Sequence, residues 1–391
     1  MQFTDLVIIP RDPLLFRDGK PFNADPGAAA RTLTWPMPRT CAGAVRTHIG
    51  NSCGWDWHKE GPDKAKAVTF HGPLLAARRC PRSDWQIYLH APADAVIFRD
   101  DKELRVMRLR PWKLPDGAGC DLPEGLLPLR VERDVKPEGG FAFWSLSETA
   151  KWLADPTSAD VPEDALANLP QQTRVHVRIQ SETGTAHPSF LYSVRFLAFP
   201  DGMPEERWSK IDGTPPHPAS AAILCRVAPP DGWQPAPSML TLGGERKLAH
   251  VDAAGALPIE WPKMPDQLRG AVSGTKRLRL QLATPAVFSG GWKPGWLDAN
   301  LQGAPPTLPN LKLKLIAAAV GRRQPVSGWD YQTNNPRPPR YTVPWGSVYF
   351  FEVLEGSVDP QALWLTPVSD EISDRNDGFG LVLPGCWDYA Q

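Results

Sequence analysis

The sequence predicts an α+β fold: two ferredoxin-like (RRM-like) βαββαβ units with loop insertions and one protruding β-hairpin. Three observations predict it. Short β-rich runs recur along the chain, with only a few helical stretches between them. At 391 residues, 42% of them hydrophobic, the chain exceeds one ordinary domain and supplies core for two. Its 44 prolines and 32 glycines punctuate it with turns and leave little room for long helices.

The elements follow in order. Residues 3–9 form an apolar strand, stopped by Pro10 and Pro13. Asp12, Arg17, Asp18 and Lys20 crowd its exit, ahead of a Pro/Gly/Ala-rich loop. Thr40 is expected to cap a helix reaching about residue 49, packed closely through Ala42, Gly43 and Ala44. Arg39 and Arg46 stand near its start. Further strands are expected at 85–90, 174–180, 191–199, 221–227, 277–282 and 347–353. Two more helices are expected, at 147–154 behind Ser145 and Ser147, and at 162–169 with Pro162 in the first turn. Pro258, Pro262 and Pro265 cluster where a boundary would fall, dividing residues 1–262 from 263–391. The Pro-rich stretches 200–218 and 229–237 read as insertions within the first unit.

Charge and cysteine usage narrow the function. The net charge is zero, which argues against a protein that coats nucleic acid indiscriminately. The charges are nevertheless unevenly placed. Residues 301–350 carry Lys312, Lys314, Arg322, Arg323, Arg337 and Arg340 against Asp330 alone, whereas 352–391 carry eight acids against Arg375. Either two surfaces meet different partners, or these charges pair across the fold. The six cysteines form no CxxC pair and lack histidines at finger spacing, so free thiols in a reducing compartment are expected, with no metal site. No basic leader precedes the first strand, and Lys312 and Lys314 interrupt the apolar stretch at 311–320. A cytoplasmic protein without a membrane partner is expected. No GxxxxGK[ST] occurs, and no cofactor is expected.

Three segments carry chemistry suited to RNA. In 174–179, Arg174, His176 and Arg178 alternate with Val175, Val177 and Ile179, and a turn at 181–184 returns the chain as a second strand. One face of that hairpin is basic; an amphipathic hairpin with a solvated face is the plainer alternative. In 242–251, Gly243 and Gly244 precede Arg246 and Lys247, a plausible phosphate cradle or an ordinary tight turn. In 378–385, Gly378 and Gly380 tolerate positive φ and are expected to expose backbone donors. Sixteen tryptophans are present, most expected to be structural, but Trp329 lies close in sequence to Arg322 and Arg323 and suits stacking or an interface.

The order of several segments resembles the RAMP superfamily of CRISPR proteins, more narrowly the third Cmr subunit of type III-B effector complexes. These are IIPRDPLLFRDGKPF at 8–22, PRTCAGAVR at 38–46, FHGPLL at 70–75, RVHVRI at 174–179, LGGERKLAHV at 242–251, TPAVFSGGWKPGW at 284–296, AAAVGRRQPVSGWD at 317–330, VPWGSVYFFE at 343–352 and GFGLVLPG at 378–385. The resemblance implies a non-catalytic subunit that binds the 5′ tag of a guide RNA and docks on the large palm-domain subunit. It also implies contact with the backbone RAMP subunit, and with target RNA only indirectly. Under it the hairpin at 174–199 resembles the thumb that lies along the guide. RNA contacts are expected from Arg17, Lys20, Arg39, Arg46, Arg174, His176, Arg178, Gly243, Gly244, Arg246, Lys247, Arg322, Arg323, Trp329, Gly378 and Gly380. Glu352, Glu355, Asp370, Glu371, Asp374 and Asp377 are expected to face a neighbouring subunit or solvent, since they repel phosphate. Two alternatives stand: a metal-independent endoribonuclease that uses His48 with His176, and a purely structural subunit.

Overall fold

The computed structural model describes residues 2–17, 29–202, 214–330 and 335–390. Alternation along the strands builds its first sheet. In Thr4–Pro10, Leu6 and Ile8 point to one side and Val7 to the other, and all three are buried. The same holds for Ile223 against Leu224 in Ser220–Ala228, and for Leu75 against Leu74 in Thr69–Arg78. The sheet has seven antiparallel strands in the order Ser238–Thr241, Leu248–Ala253, Thr4–Pro10, Ser220–Ala228, Thr69–Arg78, Gln86–His90, Phe143–Ser145. A second sheet of six orders Gln302–Gly303, Lys312–Ala319, Val348–Glu355, Arg277–Leu282, Leu381–Cys386, Thr366–Pro367. In each, four long strands occur in the same spatial order by chain position: fourth, first, third, second. They are 248–253, 4–10, 220–228, 69–78 in one, and 381–386, 277–282, 348–355, 312–319 in the other.

One face of the first sheet is covered by the helix Pro38–Ser52, whose Cys41, Ala42, Val45 and Ile49 recur at helical spacing and pack among Leu6, Ile8, Leu75 and Ile223. The other face carries Val7, Leu74, Ala76 and Leu224 into a core shared with Leu278, Leu280 and Leu383 of the second sheet. Leu146–Ala154 and Asp266–Val272 fill the gap through Leu153, Leu268 and Val272. Ser145 caps the former by accepting from the Glu148 N–H at 3.3 Å, as its position suggests.

Three local expectations are corrected. The first helix begins at Pro38 behind Met37, so Thr40 lies inside it; Pro38 loses nothing there, because a first-turn N–H has no helical acceptor. Of Ala42, Gly43 and Ala44 only Ala42 is buried, and nothing approaches Gly43; the glycine of this helix that is closely packed is Gly50, against Trp55 and Trp57. Residues 162–169 are not helical: Leu166 and Phe143 exchange backbone hydrogen bonds, extending the sheet edge instead. Among the described residues no helix is long and apolar enough to cross a membrane.

Two histidines couple this core to pH. His71 lies 5.2 Å from Phe3 and 6.5 Å from Trp261, ring to ring. Burial, then the nearby Arg226 cation, lower its pKa to about 4. His90, stacked at 4.5 Å on Trp345 and 4.4 Å from Phe143, is pushed well below the ordinary value by burial. The unfolded chain takes up these protons near pH 6.5, the folded chain only at lower pH. Stability is therefore expected to be full above pH 6.5 and to fall as pH drops towards 4, by up to about 1.4 kcal/mol per unit for each histidine. Urea midpoints at pH 7 and pH 5 check this, and His71→Phe should flatten the difference.

Candidate nucleic-acid interface

The strands Gln171–Ile179 and Ala186–Leu197 form the expected hairpin, closed by Gly184 at φ +67. Its base is tied down by Leu14, which pairs with Leu197, and by Ala29–Ala30, which runs parallel to Ser193–Val194. Pairing in register puts His176 opposite Tyr192 and Arg174 opposite Val194, two residues before Phe196. His176 stacks on Tyr192 at 5.5 Å, and the Arg174 guanidinium sits 5.2 Å from the Phe196 ring centre. Arg174 and His176 are thus half-buried, the guanidinium of one and the ring of the other lying against aromatic rings. The apolar stripe faces outward, with Val175 68%, Ile179 54% and Leu191 61% exposed. Arg178 is exposed near the tip.

The glycine turn reaches the same ring. The Gly244 N–H donates to the Leu15 carbonyl at 2.8 Å, and a Cβ on Gly243, at φ +76, would stand 2.6 Å from that oxygen. The two glycines therefore let the turn seat on Leu15, and the Gly244 N–H is not a phosphate donor as expected. Glu245 and Arg246 then both take positive φ, +60 and +48, before the Leu242 N–H closes the turn on the Lys247 carbonyl. This projects Arg246 into solvent and brings the Lys247 ammonium to 5.1 Å from Phe196, with Glu245 at 3.4 Å. Arg17 is exposed two residues beyond Leu15. Lys20 lies outside the described residues. Segments far apart in sequence thus place Arg174, His176 and Lys247 around one aromatic ring.

Arg39 and Arg46 face inward instead. Arg39 donates to Asp374 at 2.8 Å and to Asp377 at 2.7 Å. Arg46 donates to Asp377, to the Val68 carbonyl and to the Asn376 carbonyl. Arg340, which no sequence motif singles out, donates to Asp374 through both terminal nitrogens, at 3.0 and 2.5 Å. The charges thus pair across the fold, and Asp374 and Asp377 are buried rather than presented to a partner. Asp370 accepts from Ser289 and from the Gly295 N–H, Glu355 pairs with Lys312, and Glu352 accepts from Tyr389. Glu371, by contrast, is exposed.

Gly378 and Gly380 belong to this packing. Both are buried at φ +89 and +83, and their N–H groups donate to the Arg375 and Pro285 carbonyls. A Cβ on Gly378 would come within 2.8 Å of the Gly72 carbonyl, and one on Gly380 within 2.6 Å of Ser369 Oγ. The expected open loop of backbone donors is instead packed against the protein's own chain, Gly378 on Thr69–Arg78 and Gly380 on Ser369.

Arg322 and Arg323 are exposed, and the Arg323 guanidinium lies 4.1 Å over the ring of Tyr341, a residue that sequence reasoning passes over. Trp329 starts a two-residue strand paired with Asn335–Pro336, but its side chain lies outside the described residues. Of the two histidines, His48 contacts Ser238 Oγ at 3.2 Å and meets Trp233 edge-on, and burial lowers its pKa. His176 lies between the rings of Tyr192 and Phe196. Cations over aromatic rings suit a polyanion with unpaired bases.

A family profile described as CRISPR-associated protein (Cas_Cmr3) matches residues 6–387. No curated protein matches the chain. Among solved structures, the chain is similar to a subunit of the type III-B Cmr-beta complex bound to cognate target RNA, at 14% identity and TM-score 0.46 over 88% of this chain and 86% of that one. The same complex with AMPPnP also bound gives 15% identity and TM-score 0.44 over the same shares of the two chains, 88% and 86%. A chain of the Csm3–Csm4 subcomplex of the type III-A interference complex gives 8% identity and TM-score 0.31, over 92% of this chain and 97% of that one.

Proposed function

This chain belongs to the family of CRISPR-associated Cmr3 proteins, and from that premise we propose that it is a non-catalytic subunit binding the 5′ tag of the guide RNA in a cytoplasmic type III-B effector. Its two sheets, with their shared strand order, are read as ferredoxin-like RAMP units meeting near residue 262. The hairpin Gln171–Leu197 acts as the thumb. The chain docks on the large palm-domain subunit beside the backbone RAMP subunit, and meets target RNA through them.

The observation that carries this reading is the convergence of Arg174, His176 and Lys247 on Phe196 from two separate segments, with Arg246 exposed beside Lys247 in the same turn. Arg246 makes no ion pair among the described residues, although its backbone is held at positive φ. A strained turn that presents an unpaired cation is hard to account for by stability alone. Arg17, Arg178, Arg322 and Arg323 are further exposed cations, whereas Arg39, Arg46, Gly378 and Gly380 support the scaffold.

The test is a salt titration of tag-bearing single-stranded RNA against the purified chain. Arg174→Ala/Arg246→Ala/Lys247→Ala should weaken binding at least tenfold at low salt. It should also flatten the slope of log K against log salt by about 0.7 for each phosphate no longer neutralised. A folded triple variant with unchanged affinity and slope would remove the RNA path from this surface.

A further inference from the structure

The excursion between Lys312–Ala319 and Val348–Glu355 contains a two-stranded ribbon, Gln324–Val326 against Arg340–Thr342. Its inner face is fixed. Val326 is buried with Met37, Val287 and Phe379, Thr342 Oγ1 donates to the Gln324 carbonyl at 3.2 Å, and Arg340 is held by the buried Asp374. Alternation sends the opposite set outward: Tyr341, Pro325 directly across from it, and Arg323 diagonally. The Arg323 guanidinium covers the Tyr341 ring at 4.1 Å, yet Tyr341 remains 51% exposed. Residues 321–328 and 335–343 carry Arg322, Arg323, Arg337 and Arg340 and no carboxylate.

We infer that Tyr341 and Arg323 form a stacking platform for one unpaired base of the bound RNA, an assignment that rests on the RNA-binding reading above. An exposed tyrosine on a ribbon anchored from beneath is already ordered, so a base that stacks on it costs little side-chain entropy. Every base offers a π-face, and the neighbouring guanidinium supplies a cation for the adjoining phosphate and a second planar surface. An acid-free ribbon favours a polyanion over an ordinary mixed-charge protein surface.

The experiment titrates the full-length chain into short tag-bearing single-stranded RNAs carrying 2-aminopurine at successive positions. Stacking is expected to quench the probe at one position, and Tyr341→Ala to abolish that quench and weaken binding roughly 5- to 150-fold, the range of a single base stack. Tyr341→Phe should keep both, and Arg323→Ala should weaken binding while leaving a partial quench. Wild-type affinity and quench in a folded Tyr341→Ala variant overturn the platform alone. Failure of the wild-type chain to bind any RNA overturns the RNA-binding reading beneath it. Unchanged RNA affinity with reduced recovery of a neighbouring subunit by Tyr341→Ala makes the ribbon a protein interface and also overturns the platform.

Discussion

Replacing Asp94 by alanine is expected to cost about 3–5 kcal/mol of stability, the range for a buried charge left without its partner. Asp94 follows Gln86–His90 of the first sheet and Arg279 lies in Arg277–Leu282 of the second, with side chains 1% and 2% exposed. One Asp94 oxygen accepts from Arg279 at 2.6 Å and the other from the Trp152 indole N–H at 2.9 Å. Arg279 also donates to the Trp152 carbonyl. Arg108, stacked 3.3 Å over Trp152, donates to the carbonyls of Trp152, Asp155 and Ser158. Without Asp94, two buried guanidinium groups face each other with no anion between them. The urea midpoint should fall in Asp94→Ala, and Asp94→Asn should keep the indole bond and lose less. In a double-mutant cycle, Asp94→Leu/Arg279→Met should be far less damaging than the sum of the single changes, since a pair replaced by apolar groups leaves no orphan. Additive losses would mean that the pair does not hold the two sheets together.

What the sequence conveyed follows from which forces are local. Strands such as Arg277–Leu282 and the helix Leu146–Ala154 were legible because alternation and a serine cap act within a few residues. The non-helical path of 162–169 was not, because the pull on Leu166 comes from Phe143, a partner distant in sequence. The same distinction governs the candidate site. Arg174 and Lys247 stand out as cations in suggestive patterns, but Phe196, the ring that gathers them, is an ordinary strand aromatic until the turn folds onto it. Gly378 and Gly380 looked like a ligand loop because a glycine at positive φ has the same sequence signature whether it approaches a phosphate or the chain's own backbone. Tyr341 and Arg340 were missed because face assignment in a three-residue strand needs its pairing register.

Arg39 and Asp374 show most sharply how distant partners escape the sequence: Arg39 is expected to meet RNA and Asp374 a neighbouring subunit or solvent, and each is the other's partner. Asp374, fully buried, receives Arg39 from the first helix and Arg340 from the ribbon, while Asp377 receives Arg39 and Arg46. The cluster joins three elements distant in sequence, so its loss should loosen all of them. Asp374→Ala is expected to cost about 3–5 kcal/mol in urea unfolding of the isolated chain. Charge reversal at Asp374 should do worse, since it places a third cation between two. Glu371→Lys, one turn away but exposed, should stay within about 0.5 kcal/mol of wild type. Were the acids a docking surface, the isolated Asp374→Ala chain would match wild type in stability and only partner recovery would suffer. Because Arg340 anchors the ribbon that carries Tyr341, the clamp also predicts that a mild lesion, Asp374→Asn, weakens RNA binding at temperatures where the chain remains folded. Tm and RNA affinity measured on the same Asp374→Asn preparation separate a loosened ribbon from general unfolding: a normal Tm with normal affinity would show that Arg340 holds its place without the charge.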